Sequence, residues 1–340
     1  MIRTLLRRLF GLRRREPEPP PTIESAELAA SVWSRSPLTA VAVQVPAADP
    51  AALGSYLEAQ LAERIALVLA SAPSGKDNDI ARLAEAMAAG PGESIRQFPA
   101  SAQKALDLTQ RDSVELLELV ALCETDPALA QAVLRSASSA IYGGATVASL
   151  REAVMRVGAG GVRASVLAVV VRGLLCRPGG PLGAMASQVF EHMVRTGPLA
   201  ACLAPAFSAS KDEAFTVGLL HDTGKLVIFD QATQLRTQLK RELVLPADQL
   251  AHLLRVLHEP LGGLAVLRWG LGPVAARAVA LHHRSPVPTE RDPLSEVAYL
   301  AERLDLASMA GKPVDLAETW QAGALTGAAA RVESLLSRAA

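Results

Sequence analysis

Three times this chain sets Asp directly before Pro at the head of an apolar stripe: Asp49-Pro50, Asp126-Pro127 and Asp292-Pro293. Asp accepts the free backbone N–H groups of a first helical turn, and Pro at the next position loses nothing by having no N–H of its own. The stripes that follow keep the helical period. Leu53, Leu57, Leu61, Ile65 and Val68 form one, and Leu129, Val133 and Leu134 form another. Ser149-Leu-Arg-Glu152 reads as a capping box, with Val154 and Val157 behind it and Gly158 to Gly161 ending the helix. Val162 to Leu175 is almost entirely apolar and predicts a buried helix. Against this stands one alternating run, Val41, Val43 and Val45, the sole candidate strand. The fold class is therefore all-α.

Further helices are expected from Asp112-Ser113 to about Glu124, at Ala184 to Leu203, Lys211 to Leu220, and from Lys225 past Phe229. Others are expected at Asp248 to His258, Leu261 to Trp269, Pro273 to His282 and Pro293 to Ala310, with a last one from about Asp315 to the C-terminus. The expected organisation is a basic arm and Pro-rich linker over 1–21 and a variable, mainly helical segment over 22–98. A main domain over 99–310 has helical halves at 99–176 and 184–310, and a C-terminal helix spans 311–340. Half of the 340 residues are apolar and only 4% aromatic, which suits close-packed helices. No uninterrupted apolar run reaches the roughly 18 residues that a bilayer requires. The formal net charge is zero, so no overall field favours nucleic acid. Cys123, Cys176 and Cys202 are isolated, with no paired spacing, which fits a reducing cytoplasm. Cys123 and Cys176 are expected as buried thiols, and Trp269 and Trp320 as packing residues. Met1 to Arg15 alternates apolar residues with arginines at helical spacing, a pattern suited to weak contact with an anionic membrane surface or to a disordered tail. Ser74-Gly75-Lys76 has too few glycines for a phosphate loop.

The chain has six histidines: His192, His221, His252, His258, His282 and His283. Five sit mid-helix or at helix ends, as a metal site shared between packed helices requires; His252 has no motif partner and is expected to face solvent. His221 and Asp222 are adjacent within Gly218-Leu-Leu-His-Asp-Thr-Gly-Lys225, at a helix end where both side chains can point one way. Glu302 or Asp305 would supply a distal carboxylate. Gly197-Pro198 predicts a kink about one turn upstream, near His192.

These motifs resemble the HD superfamily of metal-dependent phosphohydrolases and, more closely, the HDOD (HD-related output domain) family. The first half of the resemblance rests on Thr125-Asp-Pro-Ala-Leu-Ala130, Ser138-Ser-Ala-Ile-Tyr-Gly143 and Val147-Ala-Ser-Leu-Arg-Glu-Ala-Val154. The second half adds the His-Asp motif, Leu257-His-Glu-Pro-Leu-Gly262, Trp269-Gly-Leu-Gly-Pro273 and Leu281-His-His283. The resemblance implies metal ligands at His192, His221, Asp222, His258, His282, His283 and Glu302, with iron, manganese or zinc as the divalent ion. Were the domain an enzyme, Asp222 and Lys225 would be its catalytic residues. The resemblance also implies a bacterial, non-catalytic signalling output or scaffold domain with protein partners in two-component or cyclic-nucleotide circuits. The alternative is a metal-dependent phosphohydrolase acting on a nucleotide or phosphodiester. His282-His-Arg-Ser-Pro-Val-Pro288 lacks the Gly-Tyr-Pro turn of the HD-GYP phosphodiesterases, so hydrolysis of cyclic-di-GMP in their manner is not expected.

Overall fold

A computed structural model describes residues 43–71, 78–88, 95–111, 113–139, 142, 145–176, 180–285 and 287–338. The arm and linker at 1–21, Val41, Asp112 and Ser74-Gly75-Lys76 lie outside them. The chain forms α1 (Pro50–Ser71), α2 (Ile80–Ala88), α3 (Ala100–Thr109), α4 (Leu116–Glu124), α5 (Pro127–Ala137) and α6 (Leu150–Leu175). There follow α7 (Gly180–Leu203), α8 (Lys211–Leu220), α9 (Thr223–Leu239), α10 (Ala247–Arg268), α11 (Pro273–Ala280) and α12 (Pro293–Ala310). The last helices are α13 (Leu316–Ala322) and α14 (Ala329–Arg338). Among the described residues the sole strand-like pairing is a parallel bridge between Val43 and Pro288.

The caps act as their residue types dictate. Asp126 accepts from the Ala128 N–H at 2.7 Å, and Asp292 from that of Ser295 at 3.1 Å. Four expectations are corrected. α4 begins at Leu116, because Glu115 caps it and its own N–H is accepted by Glu118 at 3.1 Å. Gly158, at φ 66° and ψ −173°, breaks the helical path as expected, but the chain resumes a helix at once and α6 runs on to Leu175. The two helices expected over 248–269 are one. Pro260 orphans the Val256 carbonyl, and Arg64 of α1 donates to it at 3.0 Å, so the helix survives. The single C-terminal helix is two, parted after Gly323.

α3, α4 and α5 pack on α6, which also meets α7, α8 and α9. α1 lies along α10, and α2 against α9 and α10. Asp79 fixes this docking: its carboxylate takes both Arg241 Nη atoms at 2.7 Å and the Val244 N–H at 2.8 Å. α6 and α10 are long and apolar enough to cross a membrane by length and composition. In the fold, 50% and 72% of their most apolar windows are buried against other helices. Trp269 stacks on Phe98 at 4.4 Å and Trp320 on Phe207 at 5.6 Å, as packing residues do. Cys123 is buried, whereas Cys176, at the end of α6, is only half-buried.

Candidate metal centre

α8 and α9 are separated by His221 and Asp222 alone. Both side chains leave the same two-residue turn, and Asp222, though it occupies the N-cap position of α9, makes no capping hydrogen bond. Its carboxylate is thereby left for the interior. Two glycines let neighbouring helices close on this turn. A Cβ on Gly224 would stand 1.9 Å from the His258 carbonyl oxygen, so α10 can reach Asp222 only because residue 224 has no side chain. A Cβ on Gly218 would meet Ala200 at 2.8 Å and the Thr196 carbonyl at 2.9 Å, which brings α7 and its His192 alongside. The Pro198 region leaves His192 fully buried within the cluster.

Five histidines converge there, and their Nδ1 atoms share one arrangement. His221 Nδ1 donates to Gly218 O at 2.9 Å, His258 to Leu254 O at 2.7 Å and His282 to Val279 O at 2.7 Å. His192 Nδ1 is 2.7 Å from Asp305 Oδ2, and His283 Nδ1 is 3.2 Å from Glu302 Oε2. A carbonyl only accepts, so the proton belongs on Nδ1 at His221, His258 and His282, and a neutral ring turns its Nε2 lone pair inward. His258 Nε2 and His282 Nε2 stand 3.9 Å and 3.7 Å from Asp222 Oδ1, and His221 Nε2 stands 3.5 Å from Asp222 Oδ2. The Nε2 atoms of His258, His282 and His283 and the Oδ1 of Asp222 are buried without a hydrogen-bond partner.

Burial drives His258 and His282 well below the ordinary histidine range, aided by the charges of Lys225 and His283, so both rings are neutral. Burial also opposes charge on His221 and His283, but the Asp222 and Glu302 carboxylates outweigh it and raise both. Asp222 and Glu302 are held far below their usual range despite burial, by Lys225 and His221 for the first and by His283 for the second. His192 Nε2 and His221 Nε2 lie 3.1 Å apart, a spacing at which two lone pairs repel unless a proton or a cation stands between them. Neutral imidazoles and ionised carboxylates are the donor set that divalent transition metals take. Three overlapping groups have donor atoms within 4.8 Å of one another: His192, His221 and Asp222; His221, His282 and Glu302; and His258, His282 and His283. The residues present thus fit a metal centre, on the strength of the orphaned buried donors.

All seven residues named from the sequence come together, with Glu302 as the distal carboxylate facing the cluster. Asp305 sits behind His192, where Arg195 holds it at 3.0 Å. It orients the ring, as carboxylates commonly do for metal-bound histidines. Lys225, in the first turn of α9, donates to Asp222 Oδ2 at 2.8 Å. His252 stays apart from the cluster; it is half-buried rather than solvent-facing, 3.2 Å from Arg255. Sequence reasoning missed Arg195 and Glu259. Glu259 follows His258 in its motif, and its buried Oε1 accepts the His283 N–H at 3.3 Å.

The HDOD domain family matches residues 95–285 of the 340. The chain belongs to the HDOD family. A candidate phosphohydrolase from Shewanella amazonensis SB2B shares the fold at a TM-score of 0.57 and 20% identity, over 74% of this chain and 93% of that one. An HDOD domain protein of unknown function from Geobacter sulfurreducens superposes at 0.51 with 18% identity, over 76% and 95%. A candidate signal transduction protein from Marinobacter aquaeolei VT8 gives 0.52 with 16% identity, over 83% and 64%. An uncharacterised protein of Treponema pallidum (strain Nichols) is 28% identical over 225 residues, 63% of this chain. The HDOD chain spans 43% of that relative's length. Glu302 and Asp305 lie beyond the matched residues, on α12, so the candidate centre is completed from outside the family segment.

Proposed function

We propose that this HDOD protein is a bacterial, cytoplasmic signalling output domain, built round a divalent metal centre that organises the fold and without turnover of its own. The observation that carries the reading is closure. His192, His221, Asp222, His258 and His282 are 0% exposed, Glu302 2% and His283 6%. A hydrolytic metal must present an open position to water and substrate, whereas a closed one stabilises the helices that supply its ligands. On this reading the protein's output is contact with other signalling proteins of a two-component or cyclic-nucleotide circuit, without nucleic acid. Residues 1–15 would add weak, salt-sensitive contact with an anionic membrane surface.

The second reading is a metal-dependent phosphohydrolase acting on a nucleotide or phosphodiester. It draws on the ligand set and on the candidate phosphohydrolase of like fold. When bound, the metal would polarise a phosphoryl oxygen and activate a water. His192, His221, Asp222, His258, His282, His283 and Glu302 would hold it, and Lys225 would keep Asp222 ionised. This reading also requires the helices to part. Elemental analysis of the purified protein beside His221→Ala/Asp222→Ala, followed by phosphodiester and nucleotide hydrolysis assays, separates the two. Metal lost in the variant with no hydrolysis in the wild type supports the output domain. Metal-dependent hydrolysis by the wild type replaces it with the enzyme, and a metal-free wild type sinks both.

A further inference from the structure

α1 lies outside the residues that the HDOD family matches, yet one of its side chains reaches the wall of the metal centre. Arg64 extends from α1 to α10, where its Nη1 donates to the Val256 carbonyl at 3.0 Å and meets Glu259 Oε2 at 3.5 Å. The other oxygen of Glu259 accepts the backbone N–H of His283 at 3.3 Å. His283 in turn holds Glu302 at 3.2 Å and turns its Nε2 inward. A short path therefore runs from α1 through one carboxylate to two candidate ligands. A second contact reinforces it. Val43, just ahead of α1, donates its N–H to Val287 O at 3.1 Å and accepts from Thr289 N at 2.9 Å, pinning the loop that leaves His283. α1 can seat this closely because Gly263 of α10 has no side chain; a Cβ there would stand 2.9 Å from Leu57 Cδ1.

We propose that Arg64 is a positioning residue of the metal centre, so that docking of the N-terminal segment and metal binding are linked. The inference rests on the metal reading above. Glu259 is buried, burial opposes its charge, and the charges of His283 and Arg64 favour the ionised form; without Arg64 the carboxylate loses its anchor on the α1 side and has reason to turn away from the His283 N–H. Linkage is reciprocal: whatever undocks α1 weakens the metal, and the metal holds α1 down. The N-terminal segment is thereby the part of this chain through which an upstream event would reach the centre.

The test uses the full-length, chelator-treated protein, with Mn2+, Fe2+ and Zn2+ titrated in turn under anaerobic conditions by calorimetry. Arg64→Ala is expected to weaken binding about tenfold, the low end of the effect of removing a group bonded directly to a ligand, because Arg64 acts through Glu259. Glu58→Ala cuts the exposed pair with Arg268 on the same α1–α10 contact, and it should stay within about twofold of wild type. Arg64→Ala/Glu259→Gln keeps an acceptor for His283 without a bare charge, and it should recover much of the loss. Hydrogen exchange on the wild type should show α1 amides slowing when metal is added. Equal affinities for Arg64→Ala and wild type, equal losses for Arg64→Ala and Glu58→Ala, or α1 exchange indifferent to metal each overturn the linkage alone. A wild type that binds none of the three ions overturns the metal reading itself.

Discussion

Pro260 sits inside α10, and the helix stays whole because Arg64 substitutes for the N–H that Pro260 lacks. This can be measured as a coupling between two residues far apart in the chain. Arg64→Leu keeps much of the apolar stem but leaves the Val256 carbonyl without its donor, at a cost of about 1–3 kcal/mol for a desolvated acceptor. It also strips one of the two charges, the other being His283, that favour ionised Glu259, whose side chain is 2% exposed. That second cost is smaller than for an ideal buried pair, because the ions are 3.5 Å apart and Arg64 keeps 19% exposure. A total near 3 kcal/mol is expected. Pro260→Ala restores an N–H that can bond Val256 within the helix. In that background Arg64→Leu should cost about 1–2 kcal/mol less, since only the Glu259 contribution remains. The four proteins of this cycle would be unfolded in urea and followed by circular dichroism, with a chelator present so that metal linkage is absent from all of them. A coupling below about 0.3 kcal/mol would refute the account, because independent sites add within that margin.

Asp79→Asn removes the negative charge and one of the two oxygens that accept from Arg241, at a carboxylate held down at about 2. The folded pKa lies below the ordinary value of 3.8, so the stabilisation is full above about pH 4 and fades between pH 4 and 2. Acid titration of stability should show the wild type losing about 2 kcal/mol over that window and Asp79→Asn losing less. Gly224→Ala would set a Cβ 1.9 Å from the His258 carbonyl oxygen. It should lower stability by at least about 2 kcal/mol and abolish stoichiometric metal, and a variant with wild-type melting and metal content would contradict the close approach. His221 and His283 are held protonated above the ordinary range, so metal must displace their protons. Affinity should fall as pH drops, starting above the ordinary histidine range, with proton release on binding; calorimetry in buffers of different ionisation enthalpy would show it, and pH-independent affinity would count against these ligands.

The helix starts were legible because a cap is a local event: Asp126, Ser149 and Asp292 act on N–H groups two or three residues away. Where sequence reasoning misplaced a boundary, a distant side chain or a near neighbour in competition decided it. Glu115 displaced the expected start of α4, and Arg64 carried α10 through Pro260. The candidate donors were legible as residue types, since five of six histidines and a His-Asp pair fall at helix positions that can share one pocket. The division of labour between Glu302 and Asp305 was not legible. One helical turn separates them, and Arg195 together with His192 draws Asp305 to the back of the cluster.

By itself the sequence determined that this chain is all-α, where most of its helices begin, which family it joins and which donors are at hand. Those properties depend on spacing and backbone hydrogen bonding, which span a few residues. The tertiary structure alone decided that the five histidines gather in three overlapping donor groups, that the candidate donors are buried and that α1 meets the wall through Arg64 and Glu259. Side-chain direction and burial depend on which helices meet, and here the meetings turn on bare glycine backbone, at Gly218 beside α7 and at Gly224 beneath His258.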